Sequence, residues 1–155
     1  MINLSVISVG SVKEKYLQEM IADYAKRISK YANIELVSLK DETNKMDEIS
    51  VKSIEGKRII EAIKPGFYVM LLDLKGKMLD SVEFSRKIDE IATYHSAKIA
   101  FVIGGSMGVS DEVKKRADYL ISFSKMTFPH QLMKGILLEQ IYRAFKILNN
   151  ESYHK

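Results

Sequence analysis

Residues 67–72 (FYVMLL) and 99–103 (IAFVI) are uninterrupted apolar runs of strand length, far short of a membrane span and without a polar residue to give either one a wet face. A strand with one solvated face would alternate, so both belong to strands covered on two sides, as in a parallel sheet. Between them the spacing turns helical, with Phe84, Ile88, Ile91 and His95 on one stripe. The same alternation extends in both directions. Ile2 to Val9 is a β-branched run ended by Gly10, and Tyr16, Met20, Ile21, Tyr24, Ile28 and Tyr31 then recur at helical spacing. A second apolar run, 34–39, leads through the polar stretch 40–45 into a helical pattern carrying Ile49, Ile59, Ile60 and Ile63, which Pro65 and Gly66 stop. After 99–103 come a glycine-rich turn (VIGGSMG), a short helix from Asp111 to Arg116, a strand over 119–123 and the loop SKMTF. Pro129 then suits the first turn of a final helix. The pattern predicts an α/β fold, a mostly parallel sheet flanked by helices, in one domain over 1–155, since no linker, repeat or low-complexity tract interrupts it.

The final helix carries Leu132, Met133, Ile136, Leu137, Ile141, Ala144, Phe145 and Leu148, a band wider than one buried face needs. The surplus predicts a homodimer built on this helix, with Leu137 and Ile141 in the interface. The chain has no cysteine, which excludes disulfides, thiolate metal sites and cysteine nucleophiles, and three scattered histidines cannot build a histidine-rich centre, so no metal is expected. A net charge of +4 and a pI near 9.1 permit a nucleic-acid partner. No apolar run is long enough to span a bilayer, and MINLSVISVG reads as a first strand rather than a leader, so a cytoplasmic location away from membranes is expected.

In open α/β sheets ligands bind beyond the carboxyl ends of strands. Three loops qualify: 73–77 (DLKGK), 104–108 (GGSMG) and 122–128 (SFSKMTF). Their glycines allow a flat ligand such as adenine to approach main-chain groups. Neither a dinucleotide fingerprint nor a phosphate-binding G-x-x-x-x-G-K-[ST] loop is present. The literal match at 104–108 is G-x-S-x-G, with Asp118 and His130 downstream in hydrolase order, so a serine hydrolase acting through Ser106 is one alternative. The short chain and the lack of an HGGG-type oxyanion segment speak against it. A non-enzymatic RNA- or nucleotide-binding module is another. Taken alone, His130 reads as a polar helix-start residue, and Arg143, four residues after Glu139, as one half of an exposed ion pair. Lys13, Lys15, Lys26, Arg27 and Lys30 read as a solvated helix face. The last residues, Tyr153, His154 and Lys155, combine an aromatic ring, an imidazole and an ammonium suited to RNA, although chain ends usually fray.

The IGGSMG turn, the SFSKMTFPHQL loop, the LLEQIYRAFKI helix and the final YHK together resemble the small SPOUT-superfamily methyltransferases that modify N3 of a pseudouridine in bacterial 23S rRNA. The resemblance covers essentially the whole chain. It implies a C-terminal trefoil knot, a homodimer, S-adenosylmethionine as methyl donor, and large-subunit rRNA within the ribosome as substrate. It places cofactor contacts on Leu72, Gly104, Phe123, Ser124, Lys125, Met126, Thr127 and Phe128. Arg143 and His154 are the expected catalytic pair, the first stabilising the N3 anion and the second taking its proton. His130, Tyr153 and Lys155 are expected to face the RNA.

Overall fold

The computed structural model describes residues 1–42 and 47–155, so positions 43–45 of the polar stretch lie outside the described residues. Strands and helices alternate in the order β1 (Ile2–Val9), α1 (Lys15–Ile28), β2 (Ala32–Leu39), α2 (Glu48–Ala62), β3 (Tyr68–Met78), α3 (Ser81–Tyr94), β4 (Lys98–Ile103), α4 (Asp111–Arg116), β5 (Tyr119–Ser122) and α5 (His130–Leu148). The strands form one sheet in the order β2-β1-β4-β3-β5, with every pairing parallel. Met70 joins the core beneath α1, α3 and α5, while its neighbours Val69 and Leu71 join the core beneath α2 and α4. Two covered faces explain why FYVMLL carries no polar residue. The starts of α2, α3 and α4 are held by side chains: Asp47 accepts from Ser50 N, Ser110 from Val113 N, and Asp80 and Glu83 form a reciprocal capping box.

Several sequence expectations are corrected. Tyr16 and Ile49 belong to helical patterns but are largely exposed, and His95 caps α3 instead of lying within it. Pro129 stands at the N-cap of α5, one position before its first turn, and β5 ends at Ser122. The larger change is in β3, which runs on through the expected 73–77 loop to Met78. Ile121 of β5 is paired with both Leu72 and Lys77, so the intervening residues carry the chain past it. They pass very close: a Cβ on Gly76 would lie 2.6 Å from both N and C of Ile121. Only glycine lets two backbones approach in this way.

The expected place of Leu137 and Ile141 in an interface is also corrected. Helix α5 packs between α1 and α3, and Leu137, Leu138, Ile141 and Ala144 are fully buried within one chain. Two helical neighbours cover the middle of the apolar band, while Leu132, Met133, Ile136 and Leu148 stay partly exposed. Leu137→Asp should therefore cost more than about 4 kcal/mol by placing a charge in a closed core. Thermal melting should show an unfolded chain at room temperature rather than a folded monomer.

Candidate active site

The ends of β3, β4 and β5 converge on one cleft of about 300 Å³, the lower end of the usual size for a small-molecule site. Leu72 and Asp73 form one wall, Gly104, Gly105, Ser106 and Gly108 the second, and Ser122, Ser124, Met126, Thr127 and Phe128 the third. Each wall is shaped by its own sequence. Gly108 adopts φ +86°, a left-handed conformation that glycine takes without strain, and its N–H donates to Gly105 O at 3.0 Å to close the turn. A Cβ on Gly104 would come 2.5 Å from Val109 Cγ1, so the turn packs tightly on the core. Ser122 Oγ donates to Ser124 O at 2.9 Å, and Met126 N donates to Ser124 Oγ at 2.9 Å, which fixes the third wall.

Of the expected cofactor contacts, Leu72, Gly104, Ser124, Met126, Thr127 and Phe128 line this cleft. Phe123 does not. It packs edge-on against Phe84 at 5.7 Å between centroids and, with Phe128 and Ile136, lines a neighbouring cavity of about 440 Å³. Lys125 is exposed and borders neither cavity. His130 lines the cleft itself, with Nε2 3.2 Å from the place where a Cβ on Gly10 would sit. Lys52 and Lys114 bring positive charge to the rim. Among the described residues, no three His, Asp or Glu side chains gather to hold a metal ion.

The hydrolase triad is not assembled. Ser106 is exposed at the cleft and His130 lines it, but Asp118 precedes β5 at the opposite edge of the sheet. There its Oδ2 accepts from Val69 N at 2.8 Å and from Arg116 Nη1 at 3.4 Å. The length of β5, about 13 Å at the usual rise per residue, separates Asp118 from the cleft.

Arg143 and His154 do come together, away from the cleft of their own chain. Arg143 Nη1 is 3.1 Å from His154 Nδ1, Arg143 Nε donates to Glu139 Oε1 at 2.9 Å, and the guanidinium carbon lies 4.7 Å from the centroid of the Tyr153 ring. Hydrogen bonding to Glu139 raises the Arg143 pKa further. Tyr153 packs edge-on against Tyr142 at 4.9 Å, and burial together with a Tyr24 hydrogen bond pushes its phenol up to about 12. The tail is tied down rather than frayed: Glu151 accepts from Tyr31 OH at 2.9 Å and from Lys146 Nζ at 3.0 Å. Lys155 is exposed. Along α5, Arg143 stands about 20 Å from His130 at 1.5 Å per residue.

Residues 2–154 match the family model described as "Predicted SPOUT methyltransferase". The chain belongs to the SPOUT methyltransferase family. It is 54% identical to "Ribosomal RNA large subunit methyltransferase H" of Exiguobacterium sp. and 49% identical to proteins of that name from Clostridium botulinum and Bacillus pumilus, each alignment covering 99% of both chains. A probable methylase family protein from Haemophilus influenzae shares the fold at TM-score 0.52 and 15% identity, over 99% of this chain and 70% of that one. The SPOUT family implies a knotted C-terminal half. Sequence reasoning missed Lys52 and Lys114 on the rim of this SPOUT cleft, and a buried residue beside it. Glu55 of α2 is only 4% exposed and reaches the back of the glycine turn. An acidic residue in an amphipathic helix reads as solvent-facing, and the available signal was Gly56, where α2 presses on Ser110.

Proposed function

We propose that this SPOUT methyltransferase moves a methyl group from S-adenosylmethionine to N3 of a pseudouridine in bacterial large-subunit rRNA, acting on assembled ribosomes in the cytoplasm as a homodimer. The observation that carries the reading is the cleft, where three strand ends meet around glycines and short polar side chains. Leu72, Ile103, Val109 and Met133 offer apolar walls for a flat base, and the 104–108 and 122–128 segments offer main-chain groups to its edges. Its volume, its missing Cβ atoms and its rim lysines fit that donor, and the names of the 49–54% identical relatives supply the RNA class.

When bound, the donor supplies a methyl on a sulfonium, which is already electrophilic. The protein must hold the acceptor in line and stabilise N3 without its proton. Arg143 suits the second task, being positively charged at any relevant pH. Because a guanidinium only donates, His154 Nδ1 accepts in the Arg143 pair, and the neutral imidazole then carries its proton on Nε2. In that tautomer His154 adds a second donor to the base anion. The base role expected from sequence requires the two side chains to part.

The 20 Å along α5 supports a dimer in which one subunit's tail serves the partner's cleft. The apolar surface left for such contact is not Leu137 or Ile141. It includes Phe123, Phe128 and Ile136 around the neighbouring cavity, and exposed Leu74 and Met126 on the main cleft.

Calorimetric titration with S-adenosylmethionine, followed by mass spectrometry of rRNA from treated ribosomes, tests the reading. Saturable binding and one added methyl on a pseudouridine are expected, and the absence of binding would reject it. Ser106→Ala should methylate at close to the wild-type rate, since Asp118 lies across the sheet. A dead Ser106→Ala enzyme that still binds the donor would restore a nucleophilic serine.

A further inference from the structure

Behind the 104–108 turn lies a small side cavity of about 40 Å³, lined by Val9, Asp41, Glu55, Gly105, Ser106 and His130 among others. Gly105, Ser106 and His130 also line the main cleft, so the two spaces meet at the turn. The cavity holds a buried carboxylate. Glu55 Oε2 accepts from Glu42 N at 3.0 Å, but Oε1 is enclosed and has no hydrogen-bond partner among the described residues. Arg58 does not neutralise it, being engaged by the Glu42 carboxylate and by Lys40 O. A buried carboxylate oxygen without a donor is costly, and a cation is what such a group binds most strongly. The space admits a water molecule or an ammonium group and little more. Access depends on Gly105, because a Cβ there would sit 2.8 Å from Oε1.

We propose that Glu55 Oε1 is a subsite for a primary ammonium, and that the amino-acid end of the methyl donor places its α-ammonium there, beside Gly105. This rests on the reading of the donor as S-adenosylmethionine. Lys52, three residues earlier and thus on the same side of α2, lines the main cleft beside Gly108; its Nζ pairs with exposed Glu48 at 3.0 Å, a weak surface contact that it can exchange for the carboxylate of the same amino-acid end. One helix thereby offers opposite charges to the two ends of a zwitterion. Glu55 acts as a specificity residue: it favours ligands that keep the amine.

Isothermal titration of S-adenosylhomocysteine, which has the amine, and of methylthioadenosine, which lacks the amino-acid end, tests this on wild type and Glu55→Gln. The variant should weaken S-adenosylhomocysteine by about tenfold or more while changing methylthioadenosine by less than about twofold. An equal loss for both ligands would show that Glu55 only shapes the turn, and no change for either would show that water fills the cavity; each overturns the proposal. The wild type alone provides a second arm that does not depend on the variant folding. Replacing the α-amine of S-adenosylhomocysteine by hydroxyl should weaken binding by about tenfold, and equal affinities would sink the idea. A wild-type protein that binds none of these adenosine compounds rejects the donor reading as well, a result distinct from binding that ignores Glu55.

Discussion

Removing Tyr153, His154 and Lys155 is expected to reduce methyl transfer to ribosomes by more than about 100-fold, the scale on which a lost transition-state donor is usually felt. Donor affinity should stay within about twofold, because none of the three residues lines the cleft. The truncated chain should still fold. Glu151 keeps its bonds to Tyr31 and Lys146, and what is lost is the Tyr153 packing on Tyr142 and Arg143, its Tyr24 hydrogen bond and the Arg143–His154 contact, all near the chain's surface. His154→Ala should reproduce part of the effect. On the proposed reading Arg143 donates to Nδ1 and His154 is a donor to the anion, so wild type and variant should both gain rate as pH rises and N3 ionises, in parallel profiles. A wild type that is flat where His154→Ala climbs would return the histidine to the base role. Wild-type rates from the truncated protein would refute any part for the tail, and loss of donor binding would make it a structural element.

Gly76→Ala should be the most damaging single methyl group in the protein. Its Cβ would lie 2.6 Å from Ile121 N and C and 2.7 Å from Leu120 C, and these are backbone atoms that cannot rotate away. Either β5 moves or the 73–76 segment lifts, and both carry walls of the cleft. We expect a loss of more than about 3 kcal/mol in chemical denaturation, together with loss of donor binding in the molecules that remain folded. A Gly76→Ala protein with wild-type stability and affinity would show that the two segments do not press together in solution. Gly66 makes an instructive control: its φ is +84°, but the nearest atom to an added Cβ is 4.0 Å away on the flexible Lys98 side chain, so Gly66→Ala should cost only the conformational strain, about 1 kcal/mol.

The contrast between these glycines shows where local sequence stops informing. Runs such as FYVMLL and IAFVI disclosed β3 and β4 because burial on both faces leaves a mark on every residue. The three loops at one sheet edge could be found without any ligand, since strand direction alone puts them together. The segment DLKGK looked like a free loop because its polar residues and glycine suit one. Its pairing comes from β5, far along the chain, which no local pattern reports. Leu137 and Ile141 misled for a similar reason: the width of an apolar band reveals how much is covered but not by whom, and α1 and α3 both turn out to cover it. Glu55 was hidden by composition, as charge usually marks a helix face as wet, and only the packing of α2 on the glycine turn makes it interior.

The close approach of Gly76 to Ile121 also bears on when the molecule can first work. Of the described elements, β5 and α5 are the last to emerge during translation, yet they and the segments that follow them supply a wall of the cleft, Arg143 and His154. A nascent chain that ends after α4 can form much of the sheet but has nothing to pass beside Gly76. Synthesis adds about 5 to 20 residues per second, so a few seconds separate a largely formed sheet from a completed pocket. Through that interval the partial protein sits on a ribosome, which contains the class of RNA its relatives are named for methylating, with its own cleft unfinished.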